Sequence, residues 1–493
     1  MGKIKDFLAL AADQKVIVVF ISLILLLRLS FILIMGPMPQ DAYYFFYSQH
    51  LALSYFDHPP MVAYMLRLFT SVLGNNIIAI KIADTVVTFL TILAFYHLAK
   101  CFLSGKQVRN ALILFVSTFM VAILSLVSTP DVPLMLFWAL SLQLIYQALF
   151  NKRPHYWLWA GIAMGLAFDS KYTAIFIPAG VILFMLLSKN HRHHFGSKWF
   201  WLAVLAFLVT IAPVVIWNAG NNFASFRFQS TSRMQASSGP VLQLKSFFGL
   251  LGHQLLVLTP IVFGALIYLV FTLFKRLGQK VKPLPAEQLF LLCFFLPLVL
   301  CFTLISFFSW VKLNWMMPAY ISGIIWASLY IPQKWIGRQV VFSFLLHVLI
   351  AVEIIFYPVP IQSDDTWFGW NELGTKVEQL KKNYPDAFVF SADGYKTSAE
   401  LNLALPGFTY SQNVIGEKAL QFDYVNSDLS RLKGRNAIFI DSDPRFTNEQ
   451  KENRANLTLK RYFKSVRELA PILIEKDGEP VRKFLVYYCT DYK

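Results

Sequence analysis

Apolar residues in this chain come in long unbroken blocks, unlike the alternation of a half-buried strand or the narrow stripe of a surface helix. The blocks fall at 16–35, 79–99, 111–128, 132–150, 156–169, 173–188, 199–217, 248–274, 288–308, 314–331 and 339–357. With ~20 residues needed to span a hydrocarbon core, they predict about eleven transmembrane helices. The apolar run after Lys15 is too long for a signal peptide and no small-residue cleavage site follows it, so it reads as a retained first helix. Past Tyr357-Pro358-Val359-Pro360 the pattern becomes that of a soluble domain. Ala387–Phe390, Ala437–Ile440 and Phe484–Tyr488 read as short strands, 371–383 and 396–405 as helices, and Lys476-Asp477-Gly478-Glu479 as a hairpin turn. The predicted fold is a polytopic α-helical membrane protein over 1–358, followed over 359–493 by a small α/β domain packed above the membrane part.

Composition agrees: 56% of residues are hydrophobic and 15% charged, too apolar for a soluble chain of 493 residues. Charge then orients the spans. Residues 364–493 hold 19 basic and 19 acidic residues, so the net +16 lies wholly in 1–363. There it concentrates in alternate connections: Lys100/Lys106/Arg109, Lys152/Arg153, Lys189/Arg192/Lys198, Lys275/Arg276/Lys280/Lys282 and Lys334/Arg338. Together with Lys3, Lys5 and Lys15 these mark the cytoplasmic side, which puts the N-terminus inside and the C-terminal segment outside. The excess is therefore a topology signal and not a nucleic-acid footprint. Four cysteines in scattered positions form neither a disulfide framework nor a zinc spacing.

The chemistry-bearing residues collect on the opposite, external side. They lie in 36–78, in the Thr129-Pro130-Asp131 turn, in Asp169-Ser170-Lys171-Tyr172, in 218–247 and in the Ser309–Asn314 turn. Ionisable groups at the edge of a membrane bundle are costly, which makes them functional candidates. Within 36–78, Asp41–Leu53 and the stretch opened by Asp57-His58-Pro59-Pro60 read as two interfacial helices. Asp41 and Asp57 are candidate general bases, with helix starts as the alternative for both. Asp131 before Pro133 is either a helix cap or an orienting acid. Lys171 either holds a lipid phosphate as a point charge or snorkels to headgroups, and Asp169 is its candidate partner. Arg227, Arg233 and Lys245 follow in the long loop, where arginine suits bidentate phosphate recognition. Lys312 is a further cation. Arg28 and Asp84 read as a structural ion pair between the first two spans, and the His191/His193/His194 cluster as a cytoplasmic basic patch without a metal.

These stretches also carry a resemblance. Gln40-Asp41-Ala42-Tyr43-Tyr44 with His50–Pro60 (HLALSYFDHPP) resembles the first external loop of bacterial GT-C glycosyltransferases. These are relatives of the protein O-mannosyltransferases and of the lipid A aminoarabinose transferase. Ser128–Pro133, Gly165–Thr173, Trp217–Gln229, Trp310–Trp315 and Lys396–Leu401 are similar to further segments of the same family. The family's first loop opens on an Asp-Glu pair whose aspartate is the catalytic base; here Gln40 and Asp41 stand at those positions, so either Asp41 has taken over the role, or Asp57 supplies the base, or catalysis is impaired.

The resemblance implies an enzyme of the cytoplasmic (inner) membrane that transfers a sugar, with inversion, from a polyprenyl-phosphate donor. The acceptor would be a lipid A, another glycan or a protein. Asp41 first, or Asp57, would serve as the base. Tyr43, Tyr44, His58, Asp131, Lys171, Tyr172, Arg227, Arg233 and Lys312 would contact substrate. No metal or other cofactor is obligatory on this reading, and a divalent ion stays open. The partners are the lipid-linked sugar, its acceptor and membrane lipids, with no nucleic acid. Two alternatives share these features: a transporter or flippase of a lipid-linked sugar, and a catalytically silent relative that binds glycolipid. The flippase lacks support from internal repeats or paired broken spans, whereas Gln40 favours the silent relative.

Overall fold

A computed structural model describes residues 12–232, 242–277, 284–446 and 449–493. Helices form at every apolar block, but not all are spans by length. Seven are long and apolar enough to cross a membrane: Ile17–Ile34, Ile77–Phe102, Asp131–Phe150, Lys198–Gly220, Leu244–Arg276, Ala286–Ser306 and Gln333–Phe356. Two bent pairs raise the number to nine, Lys106–Val116 with Phe119–Leu126 (56°) and Tyr172–Leu187 with Lys189–Gly196 (120°). The first bend falls at Ser117 and Thr118, whose hydroxyls donate back to the Leu114 and Phe115 carbonyls. Among the described residues the chain is thus a multi-pass membrane protein with seven to nine candidate spans, fewer than the eleven blocks suggest. Helices Tyr156–Ser170 and Ala319–Ser328, at 15 and 10 residues, are shorter than a span requires.

Small residues set the helix packing that matters for the site. On helix Tyr156–Ser170, a Cβ on Gly161 would lie 2.2 Å from the Ala203 carbonyl oxygen, and one on Gly165 would lie 2.5 Å from Thr210 Cβ. Glycines four apart let this helix press directly onto Lys198–Gly220, as in small-xxx-small contacts between membrane helices. The approach brings the turn after Ser170 beside the segment that follows Gly220.

In the 36–78 connection the two expected helices are Pro39–Gln49 and Met61–Leu73. Proline at the first helical position suits the start of the former. That helix is buried nearly throughout, because the C-terminal part lies on it: Tyr43 sits 4.2 Å from Tyr395, and Phe46 stacks on Phe422 at 4.3 Å between ring centroids.

The C-terminal part holds a five-stranded sheet in the order β2-β1-β3-β5-β4, with β1 Phe388–Phe390, β2 Thr409–Tyr410, β3 Ala437–Ser442, β4 Phe463–Lys476 and β5 Glu479–Tyr492. β1 runs parallel to β2 and β3, while β5 is antiparallel to both β3 and β4. Alternation along β3 sends Phe439 to one face, with Phe390, Tyr487 and Leu459 of helix Glu449–Tyr462. Ile438 and Ile440 go to the other, with Trp370, Leu373 and Val377 of helix Trp370–Asn383 and Leu401 of helix Lys396–Ala404. The strands, helices and hairpin turn expected from the sequence all form; β2, β4 and helix Glu449–Tyr462 are additions.

Candidate active site

Asp131 opens helix Asp131–Phe150, and Lys171 follows the last residue of helix Tyr156–Ser170 in extended conformation (φ −159°, ψ 137°). The ammonium of Lys171 donates to both oxygens of Asp131, each at 2.9 Å, and both side chains are buried. Asn314, two residues past Lys312, donates its amide to Asp131 Oδ2 at 2.5 Å. Three of the turns singled out in the sequence therefore meet at one carboxylate. Lys171 reaches Asp131 and not the expected Asp169, whose Oδ1 has no hydrogen-bond partner among the described residues.

A second carboxylate stands nearby. Asp57 does not cap helix Met61–Leu73, whose N-cap position is Pro60. Its Oδ1 instead accepts from the Tyr43 hydroxyl at 3.1 Å and from the Tyr47 hydroxyl. Burial, and then the negative charge of Asp57, raise the Tyr43 and Tyr47 hydroxyls well above the usual tyrosine value, so both stay protonated donors. Gln229 donates to the Asp57 carbonyl, Phe228 packs on Phe56 at 4.8 Å, and the Tyr172 and Ser225 hydroxyls are 2.7 Å apart. The 224–232 segment thereby ties the Asp57 turn to the Lys171-Tyr172 turn. Arg227 ends the short helix Ala224–Arg227 of that segment and is exposed, as is Lys312. Tyr44 is buried and packs edge-on against half-buried His58 at 6.0 Å. Arg233 lies outside the described residues.

Asp41 occupies a different kind of position. It is fully buried and accepts from the Met38 backbone N–H at 2.8 Å, the Lys81 ammonium at 2.5 Å and the Ser128 N–H at 2.7 Å. The first bond closes the start of its own helix; the third grips the turn that leads to Asp131. Lys81 also donates to the Leu126 carbonyl, and Ser128 donates its hydroxyl to Asp84 Oδ2 at 2.6 Å. Asp84 therefore does not pair with Arg28, whose guanidinium reaches His347 Nε2 at 3.0 Å and the Val116 and Thr118 carbonyls. Lys81 escaped the sequence reading although a lysine early in an apolar run was a usable signal. Gln40, beside Asp41, donates to Asp365 at 3.0 Å, and Asp365 also lies 3.2 Å from Lys396.

Among the described residues no group of three or more His, Cys, Asp or Glu is placed to hold a metal ion. Chemically the arrangement offers a carboxylate served by two phenols, a lysine fixed by an acid that an amide also holds, and two exposed cations on adjoining segments.

The family model for dolichyl-phosphate-mannose-protein mannosyltransferases matches residues 57–217, which include Asp57, Lys81, Asp131 and Lys171. Lipid A galacturonosyltransferase RgtD of Rhizobium johnstonii is 27% identical over 297 residues, 60% of this chain and 60% of that protein. Undecaprenyl phosphate-α-4-amino-4-deoxy-L-arabinose arabinosyl transferase of Pseudomonas aeruginosa is 32% identical over 171 residues, covering 33% of this chain and 31% of its own. The matched stretches thus span less than two thirds of these curated relatives. The crystal structure of ArnT from Cupriavidus metallidurans in the apo state aligns with 97% of this chain and 98% of its own at a TM-score of 0.62 and 12% identity, a likeness of fold. The same protein bound to undecaprenyl phosphate gives 0.61 over the same share of each chain at 13% identity. The resemblance to GT-C glycosyltransferases read from the sequence is borne out.

Proposed function

We propose that this chain, which has the fold of the GT-C glycosyltransferases, is an inverting integral-membrane glycosyltransferase. It moves a sugar from a polyprenyl-phosphate donor to a lipid A, glycan or protein acceptor on the external face of the cytoplasmic membrane. The short helices Tyr156–Ser170 and Ala319–Ser328 complete eleven passes in this reading, with the N-terminus cytoplasmic. Residues 1–358 form the membrane domain and 359–493 the external domain. The names of its relatives, a lipid A galacturonosyltransferase and an undecaprenyl phosphate-linked arabinosyl transferase, support the donor class.

What carries this reading is the convergence of Asp57, Asp131, Lys171, Tyr172 and the Arg227 segment on one network joined by hydrogen bonds and ring contacts. Asp57 takes the proton from the acceptor hydroxyl as its oxygen attacks the anomeric carbon. The bond from that carbon to the phosphate oxygen breaks, and polyprenyl phosphate leaves with the electron pair. Arg227 and Lys312 hold that phosphate, and Lys171 adds a third positive charge, fixed by Asp131, which Asn314 holds in turn. Tyr43 and Tyr47 orient Asp57, and Tyr44 and His58 shape the sugar side. Asp41, engaged by three donors and closed to solvent, positions the Ser128–Asp131 turn.

The test is transfer from a radiolabelled polyprenyl-phosphate sugar in membranes containing wild type, Asp57→Asn or Asp41→Asn. Loss in Asp57→Asn with the protein still inserted and folded supports the reading. Full activity in Asp57→Asn with loss in a well-folded Asp41→Asn moves the base to Asp41. No transfer by wild type across several donors and acceptors, with donor still bound, favours the silent glycolipid-binding relative.

A further inference from the structure

A cavity of about 380 Å³ opens where the end of helix Pro39–Gln49, the end of helix Lys198–Gly220 and the C-terminal part meet. His50, Trp217, Asn221, Gln421, Tyr424 and Asn426 supply its aromatic and polar lining, and no Asp, Glu, Lys or Arg is among the described residues that line it. We infer that this cavity is a subsite for an uncharged pyranose ring of a saccharide acceptor, an assignment that rests on the transferase reading above.

The lining matches the chemistry of such a ring. A pyranose presents a flat C–H face and a rim of hydroxyls, so it needs an aromatic surface and neutral groups that both donate and accept. Trp217 and Tyr424 lie 5.5 Å apart between centroids at 49°, which makes an open aromatic corner. Tyr424 is itself backed by Phe56, stacked at 5.5 Å, so its ring is held although 37% exposed. Asn221, Gln421 and Asn426 bring primary amides that both donate and accept, although one Asn221 N–H already goes to the Trp217 carbonyl and the Gln421 oxygen already accepts the Phe56 N–H. A phosphorylated or uronic acid ring calls for cations, and the described residues of this wall include none. A peptide bound by strand addition needs a strand edge, and no strand residue is among the described residues that line the cavity.

The wall is also wired to the candidate base. Gln421 accepts the Phe56 N–H on its side-chain oxygen at 2.8 Å. Its own N–H donates to the Tyr43 hydroxyl at 3.3 Å, and that hydroxyl donates to Asp57. One residue of the cavity wall thus holds both the residue before Asp57 and a phenol that Asp57 accepts from. A sugar seated here is linked to the candidate base through the chain Gln421–Tyr43–Asp57.

The experiment is saturation-transfer NMR on the purified full chain in detergent, with no donor present. The probes are methyl β-lactoside and N,N′-diacetylchitobiose, against digalacturonic acid and a neutral hexapeptide. Both neutral disaccharides are expected to bind with Kd of about 1 mM or weaker. Ala52→Trp, which fills the cavity from a small lining residue, should abolish that binding. Tyr424→Leu, at a part-exposed ring, should weaken it by about fivefold. Undecaprenyl phosphate binding should stay at the wild-type level in both, which shows that they are folded. The inference is overturned if neither neutral disaccharide binds, if the uronide or the peptide binds more tightly, or if both variants bind the disaccharides as wild type does. Sugar binding without any transfer activity would leave the subsite standing and sink the transferase reading; transfer without neutral-sugar binding would do the reverse.

Discussion

Lys171 gives its ammonium to both oxygens of Asp131, 40 residues earlier, and almost no solvent reaches either side chain. A buried pair of this kind is poor evidence for stability as a whole, yet expensive to break from one side, because the survivor is an uncompensated charge. Asp131→Ala or Lys171→Met should each destabilise the protein by about 3–5 kcal/mol. The double variant Asp131→Leu/Lys171→Met should cost clearly less than the two added together. Chemical unfolding of the purified protein measures all three. Simple additivity would mean that the pair is not a coupled unit.

Asp57 and Asp41 should separate in the same kind of measurement. Asn at 57 still accepts from Tyr43 and Tyr47 but takes no proton, so Asp57→Asn is expected to lower transfer by about 10²- to 10⁴-fold with little change in melting temperature. Asn at 41 leaves Lys81 buried without its carboxylate, so Asp41→Asn should lower the melting temperature first, with any loss of activity following loss of folded protein. Tyr47→Phe removes one charge-assisted bond to Asp57 and should shift the pH profile of transfer while leaving the fold intact.

The motif turns were legible in the sequence because charge next to a long apolar run stands out, and Asp131, Lys171 and the turn holding Asn314 were found that way. Their pairing was not. Asp169 is two residues from Lys171 in the chain, but Lys171 leaves the helix in an extended conformation and turns its side chain to another span. Arg28 and Asp84 failed as a pair for the same reason: partners across a bundle are set by helix packing, and here His347 and Ser128 arrive first. Among the described residues, seven to nine of the eleven expected spans are long enough to cross on their own, because apolar composition does not reveal where a helix stops: Tyr156–Ser170 and Ala319–Ser328 end short of a full span. In the C-terminal part β1 and β3 were read to within two residues, whereas β5 runs well beyond the 484–488 core and the polar, exposed β4 had no apolar block to mark it.

Helix packing near the site depends on Gly161. A Cβ there would sit 2.2 Å from the Ala203 carbonyl oxygen, a backbone atom that cannot swing aside. Gly161→Ala should therefore separate helices Tyr156–Ser170 and Lys198–Gly220 and cost about 1–3 kcal/mol. It should also loosen the Tyr172–Ser225 contact and raise the KM for donor. Gly264→Ala, on an exposed stretch of helix Leu244–Leu277 where nothing lies within 4 Å of the new Cβ, is the control. It should be neutral or stabilising by up to about 1 kcal/mol. Equal effects of the two changes would show that the close contact is not what matters.

Glu400, on helix Lys396–Ala404, makes the protein's stability depend on pH in an unusual direction. It is 2% exposed and its Oε1 has no hydrogen-bond partner among the described residues. Burial first, and then the charge of Asp41, push its carboxyl well above the usual glutamate value, against the opposing pull of Arg482 and Lys81. The folded protein therefore keeps a proton that the unfolded chain gives up near pH ~4.3. Wherever the unfolded chain binds fewer protons, stability falls as pH rises. This contribution is thus complete below the unfolded value and is lost progressively as pH climbs towards the folded one, at up to about 1.4 kcal/mol per pH unit. Wild type should melt at a lower temperature at pH 8 than at pH 5. Glu400→Gln, which keeps the shape and cannot ionise, should flatten that slope and be the more stable protein at pH 8. Parallel melting profiles for the two proteins from pH 5 to pH 8 would mean that Glu400 is already ionised in the fold, balanced by Arg482 and Lys81.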